Sequence, residues 1–315
     1  MPDFDVVGIG LNATDTLLIV PHFPSYAGKG PFTQEILSPG GQVASAMVAC
    51  AKLGLRTKYV GTLGDDLRGQ VQMESLLTSG INLDHVQQRK NCQNQSAYIV
   101  IDQSTGERTV FWQRPECLRL KPEEIVPEMI TNARLLHIDG HDTPAMEKAA
   151  RIARENGIPV TVDIDTIYKG FERVMPYVDY LIASSEFPVQ WTHQSDPFKA
   201  LEMIQEEFGM RCAAMTLGAH GALALMDGKF HYSPAFVVNC VDTTGAGDVF
   251  HGGFCYGVLA GWEIGKVLEF SNAMAALNCT AIGARGGIAN LAKAEALMAR
   301  AERRELAEVR SRVTN

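Results

Sequence analysis

The chain has 315 residues, of which 46% are hydrophobic and 20% charged, with a formal net charge of -8. That length is enough for one large α/β domain or two smaller ones with a substantial core, and an acidic balance without any basic run argues against a nucleic-acid groove or an anionic membrane as partner. Asp3 and Asp5 stand where a leader would be basic, and no uncharged apolar run approaches the roughly twenty residues of a membrane helix, so a cytoplasmic protein is expected.

FDVVGIG (Phe4–Gly10) reads as a buried first strand ending in glycine. From about Thr16 to Leu37, Pro21, Pro24 and Pro31 among β-formers predict an irregular or β excursion. GGQVASAMVACAKLG (Gly40–Gly54) reads as a helix that is small and apolar on nearly all faces, hence buried, and stopped by Gly54. TKYVGTLGDD is a strand and loop, and RGQVQMESLLTSG a helix closed by Gly80. SAYIVIDQSTGERTVFWQR (Ser96–Arg114) alternates around central turn residues and predicts a hairpin.

After it the rhythm becomes strand then helix: ARLLHIDG with AMEKAARIARENG, IPVTVDID with FERVMPYV, and DYLIAS with a segment from Glu186. RCAAMTLGAHGALAL and KFHYSPAFVV follow, and NLAKAEALMARAERRELAEVRSR reads as one charged amphipathic outer helix. This pattern predicts an α/β fold, a doubly wound and mostly parallel sheet with helices on both faces. The excursion and the hairpin, about 16–37 and 95–115, are expected to form one small β lid over a cleft, and 1–315 is read as a single domain. The seven cysteines (50, 92, 117, 212, 240, 255 and 279) lack a CxxC pair and are expected to be reduced and mostly buried.

The richest stretch is VDTTGAGDVFHGGF, Val241–Phe254. If Val241 ends a strand and the apolar run from Val249 is helical, Gly245, Ala246, Gly247 and Asp248 occupy a helix N-terminus. Its first N–H groups lack partners inside the helix and its dipole favours an anion. An aspartate there, ionised near neutral pH, can accept a proton. A donor-lined anion pocket beside a carboxylate base is what phosphoryl transfer to a hydroxyl requires. Asp163 and Asp165, two apart on one strand, face the same side at its C-terminal end; two solvated turn acids and a role near magnesium or phosphates both fit. His137 and His141 are four apart, but the first is read in a strand and the second beyond a glycine, so the helical spacing of a metal pair does not apply.

DTTGAGDVFHGGF resembles the C-terminal signature of the ribokinase-like (PfkB) carbohydrate kinases, and GGQVASAMVACAKLG their N-terminal signature. VGTLGDDLRGQ, SGIN, MTLGAHGALAL and CTAIGARGGI add to the resemblance, which spans almost the whole chain in family order. It implies a ribokinase-like Rossmann-type fold with a β lid, and an ATP-dependent kinase acting on a sugar hydroxyl. By position it implies Asp248 as base and Gly245, Ala246 and Gly247 as anion hole. On the sugar side it points to Asn12, Asp15, Gly40, Gly41, Ser45 and Asp139, with Phe111 or Arg114 reaching in from the lid. Ser45 stands where many sugar kinases have asparagine, which leaves the sugar open. Thr216, Gly218, Gly221, Asn272 and Ala276 are implied on the ATP side. Asp242, Thr244 and carbonyls from Ile282 to Gly287 are implied for a potassium ion. Mg²⁺ is expected mostly on ATP phosphates and water, with Glu186 a candidate ligand, and a homodimer through the lid is expected. A nucleoside kinase of the same family shares this chemistry. A dinucleotide oxidoreductase rests only on GIGLNA (Gly8, Gly10, Ala13), and a silent ligand-sensing relative would be expected to lose Asp248 or the glycines.

Overall fold

The computed structural model describes residues 2–105 and 108–313. The chain runs β1 (Val6–Ile9), β2 (Ala13–Val20), β3 (Gln34–Gly40), α1 (Gln42–Lys52), β4 (Thr57–Gly64), α2 (Leu67–Thr78), β5 (Val86–Arg89), β6 (Ser96–Asp102) and β7 (Arg108–Gln113). Then come β8 (Leu136–Asp139), α3 (Thr143–Glu155), β9 (Val160–Ile164), β10 (Tyr180–Ser184), α4 (Glu186–Thr192), α5 (Pro197–Phe208), β11 (Cys212–Thr216), β12 (Ala222–Met226) and β13 (Lys229–Ser233). The last elements are β14 (Ala235–Phe236), α6 (Ala246–Leu259), α7 (Ile264–Asn278), α8 (Leu291–Arg300), β15 (Arg303–Arg304) and α9 (Ala307–Val313).

Nine strands form one sheet in the order β13-β12-β11-β10-β9-β8-β1-β4-β5. It is parallel from β5 to β11, and β12 and β13 add antiparallel at one edge. β9, VTVDI, is buried at every position, as a parallel strand covered on both faces must be. Phe254 and Val267, of α6 and α7, pack on one face with Ile182 and Ala214 of the sheet, and Ala149 of α3 and Leu201 of α5 pack with Val162 on the other. α6 lies close to α1 because residue 252 is glycine: a Cβ there would come 2.5 Å from the Ala49 Cβ. The strand order reverses between β8 and β1, and ligand crevices in such sheets open at the C-terminal strand ends of that point.

The expected lid is a separate four-stranded sheet, β3-β2-β6-β7. β2 pairs antiparallel with β3 and parallel with β6, bringing the early excursion and the hairpin together. Leu17, Ala97, Ile99 and Ile101 form its small core, with Ile282 packed against it. The hairpin turn at 106–107 lies outside the described residues.

Four local expectations are corrected. FERVMPYV is two short 3₁₀ turns, Phe171–Arg173 and Met175–Tyr177, because Pro176 cannot donate to a continuing helix. The C-terminal helix breaks between α8 and α9: Glu302 O accepts from Val237 N and Arg303–Arg304 pair with β14, which draws the chain into an extended path. Val241 ends no strand; its N–H donates to Cys279 O, so 237–241 is a loop laid against the segment after α7. Cys92 and Cys117 form a disulfide across the base of the lid hairpin, with Cα atoms 6.1 Å apart. Distant sequence positions meet there because β6 and β7 return the chain to its starting point. Cys50, Cys212 and Cys255 are free and buried, and Cys240 is free and exposed.

Candidate active site

α6 begins as the glycines require. Gly245 is its N-cap with φ 72 and no side chain caps the helix; the Ala246 N–H donates to Thr243 O at 3.2 Å, and the N–H groups that follow in the first turn lack an acceptor within the helix. Ala284 closes the space behind: a Cβ on Gly245 would meet its carbonyl oxygen at 2.3 Å, whereas a Cβ on Gly247 would meet nothing within 4 Å. The open side is the cleft.

A cavity of about 480 Å³ lies against this helix start. Thr216, Gly218, Gly221, Asn272 and Ala276 all line it, together with Ala246 and Gly247. Gly218 and Gly221 turn the chain between β11 and β12. The buried Asn272 amide donates to Ser233 O at 2.9 Å, which fixes α7 on β13. Arg108 of the lid also lines the cavity and donates to Thr243 Oγ1. Sequence reasoning missed it; the alternation of β7 is the signal, because Arg108 pairs with Ile101, on the buried face of β6.

Asp248 lies in the first turn of α6. Burial pushes its pKa up, as do Asp163, Asp15 and Asp165, while Arg285 pulls it down. That direction is opposite to the expectation of a freely ionised acid and suits a group that accepts a proton. Asp163 is no solvated turn acid: it is buried and its Oδ1 lies 3.1 Å from His251 Nε2, one helical turn beyond Asp248. Burial would raise the Asp163 pKa, but the His251 ring holds it below the usual carboxylate range. Asp165 is exposed at the strand end and accepts from Tyr168 OH at 3.3 Å.

Asp15 is buried on β2, and burial lifts its pKa to about 6 against the pull of Arg285. Gly40 packs on it, since a Cβ there would come 2.6 Å from Asp15 Oδ2. The other sugar-side candidates are engaged within the protein. The Asn12 amide donates to Tyr59 OH and Thr62 O and accepts from Asn94. Asp139 accepts from Leu11 N at 2.6 Å and His141 N at 2.9 Å, clamping the β1 and β8 loops at the switch point. Arg114 forms a double contact with Asp142. Phe111 pairs with Tyr98 on the lid face opposite Ala97 and Ile99, so strand alternation turns it away from the cleft. Ser45 is fully buried and accepts from Arg285 Nε at 3.1 Å.

Asp242 staples two loops: Oδ1 accepts from Thr244 N and Thr244 Oγ1, and Oδ2 from Gly283 N. Asn278 completes the staple through Thr244 O, Ala284 O and Gly287 N. Ile282 packs on the lid. Glu186 opens α4 at the C-terminal edge of the sheet, exposed, and does not line the cavity. Among the described residues no cluster of three or more His, Cys, Asp or Glu could hold a metal, and no helix is long and apolar enough to cross a membrane.

A carboxylate in the first turn of a glycine-started helix thus stands beside a cavity of about 480 Å³ that the same turn lines, and the buried Asp15 is near enough to raise its pKa. The family model described as pfkB family carbohydrate kinase matches residues 17–290. An ATP-dependent ribose-1-phosphate kinase of Halopiger xanaduensis is 28% identical over 86% of this chain and 90% of its own length. A 5-dehydro-2-deoxygluconokinase of Clostridium perfringens is 26% identical over 87% and 86%. A ribokinase structure from Thermotoga maritima superposes with a TM-score of 0.81 at 24% identity, covering 94% of this chain and all of that one. The chain belongs to the pfkB family of carbohydrate kinases.

Proposed function

We propose that this ATP-dependent sugar kinase transfers the γ-phosphoryl group to a sugar hydroxyl, with Asp248 as general base. One observation carries the reading: the start of α6 borders the cavity that holds all five expected nucleotide residues, and Asp248 sits in that same helical turn. Asp248 takes the proton as the sugar oxygen attacks the γ-phosphorus, and the bond to ADP breaks. Of the expected anion hole of Gly245, Ala246 and Gly247, the Gly245 and Gly247 N–H groups and the dipole of α6 stabilise the charge that develops on the transferring group, while the Ala246 N–H is held by Thr243 O. Asp15 accepts a sugar hydroxyl, and Arg108 faces the phosphates from the lid. The α/β body and lid act as one kinase unit.

Mg²⁺ supplies charge neutralisation on the ATP phosphates. The ion would keep phosphates and water around it, with Glu186 and Asp165 as the candidate protein ligands. Potassium would be held by Asp242, Thr244 and carbonyls between Ile282 and Gly287. Three donors occupy the Asp242 carboxylate, which leaves lone-pair capacity for one more partner. A homodimer through the lid is supported by β7, an edge strand exposed along its whole length with Phe111 61% and Trp112 68% accessible.

The test is a panel of D-ribose, D-fructose, ribose 1-phosphate, 5-dehydro-2-deoxygluconate and adenosine with MgATP, read by ADP release. Turnover of a sugar supports the reading, and phosphorylation of adenosine alone makes the protein a nucleoside kinase. No turnover of any compound overturns it.

A further inference from the structure

Arg285, in the loop between α7 and α8, binds three elements of the sugar side at once. Nε donates to Ser45 Oγ of α1 at 3.1 Å, Nη1 to Ser75 Oγ of α2 at 2.8 Å, and Nη2 to Gly40 O at the end of β3 at 2.8 Å. Gln72 of α2 donates to the same carbonyl at 2.8 Å. All the acceptors are neutral, and they are separated as only a planar guanidinium fork can serve.

The carbonyl they hold governs a tight turn. A trans peptide sets its N–H opposite its C=O, so holding Gly40 O from the α2 side also fixes the direction of the Gly41 N–H. Gly41 has φ +93, and a Cβ there would lie 2.4 Å from Asn12 Cα, just before the β2 residues that lead to Asp15. The neighbouring Ala284 reaches both halves of the cleft. A Cβ on Gly40 would come 3.3 Å from its Cβ, and one on Gly245 would come 2.3 Å from its carbonyl oxygen.

We propose that Arg285 is a positioning residue that locks the Gly40–Gly41 turn against Asp15, and that Ala284–Arg285 ties the sugar turn to the anion hole. The inference rests on the sugar-kinase reading of the cleft. It gives a physical account of Ser45: a short hydroxyl leaves room for the guanidinium and accepts its Nε–H, so the late loop supplies what orders the turn.

Arg285→Gln removes the fork and its charge without adding bulk. Sugar KM is measured with whichever panel sugar the wild type uses at the highest kcat/KM, and nucleotide affinity by calorimetry with Mg²⁺ and the non-hydrolysable analogue AMP-PNP. Sugar KM is expected to rise about tenfold or more, the range for losing hydrogen bonds from a charged group, while AMP-PNP affinity stays within about twofold. Arg285→Lys, with charge but no fork, should recover only part of the loss. A sugar KM unchanged in folded Arg285→Gln overturns the inference, as does an equal loss of sugar and AMP-PNP affinity, which would mark a merely structural residue. If thermal unfolding shows that Arg285→Gln does not fold, Ser45→Ala/Ser75→Ala decides: sugar KM up about fivefold or more supports the inference, and an unchanged KM overturns it. These outcomes presuppose wild-type turnover of a panel sugar, whose absence sinks the reading itself.

Discussion

The two halves of the cleft are built differently. The half proposed for the nucleotide is a cavity lined by the α6 start, the Gly218–Gly221 turn, one face of α7 and the Phe236–Val238 segment, with many small residues among them. The sugar half is a web of buried side chains from β2, α1, α2, β8 and the late loop, in which Asn12, Ser45, Asp139 and Arg285 are already hydrogen-bonded to the protein. Backbone donors serve any phosphate chain, so that half tolerates little variation in form. A web of side chains can be rewired residue by residue, and substrate choice belongs to such a web.

The sharpest way to break this division is at the helix that joins the halves. Asp248→Asn keeps the shape of the side chain but cannot take a proton, so turnover should fall about 10²- to 10⁴-fold while AMP-PNP still binds. Near-normal turnover would remove Asp248 from the chemistry, and an unfolded protein would make it a structural cap.

Gly247→Val tests the backbone half alone. The new side chain would stand in open cleft where the phosphoryl group must approach, so phosphoryl transfer should be lost with an unchanged melting temperature. Retained activity would mean that the phosphate does not come to this turn.

Asp15→Ala tests the other half. Sugar KM should rise about tenfold or more through the loss of a charged acceptor, and AMP-PNP affinity should hold. Loss of both affinities would assign Asp15 to the fold. A pH series on the wild type sharpens the point. Because burial lifts the Asp15 pKa to about 6, the carboxylate protonates as pH falls through that value, and sugar KM should climb below pH about 6. A KM that stays flat from pH 5 to 7, on the order of one unit either side of that pKa, would contradict a role for the charge.

The smallest expected effect concerns the staple shared by both halves. Replacing sodium with potassium should raise kcat a few-fold if Asp242, Thr244 and the late-loop carbonyls hold the ion. Equal rates in the two salts would leave Asp242 as a loop staple only.

Much of this architecture was legible in the order of residues. Period-two alternation in Ser96–Arg114 and the apolar run of β1 declare strands wherever they fold, and Gly54 and Gly80 end helices through local backbone preference. The glycine-started helix with Asp248 was equally readable, since an N-terminus and its dipole are local properties of one segment. Tertiary structure decided what depends on neighbours far away in the chain. It paired Cys92 with Cys117, bent the C-terminal helix by pairing Arg303–Arg304 with Ala235–Phe236, and directed Arg114 to Asp142. Arg285 meets Ser45 across 240 positions, and His251 meets Asp163 from another element. Nothing in a residue's type or its near sequence states which distant acceptor it will face. That is settled only when buried polar groups must find partners inside a packed fold, where an unpaired one costs on the order of 1–3 kcal/mol.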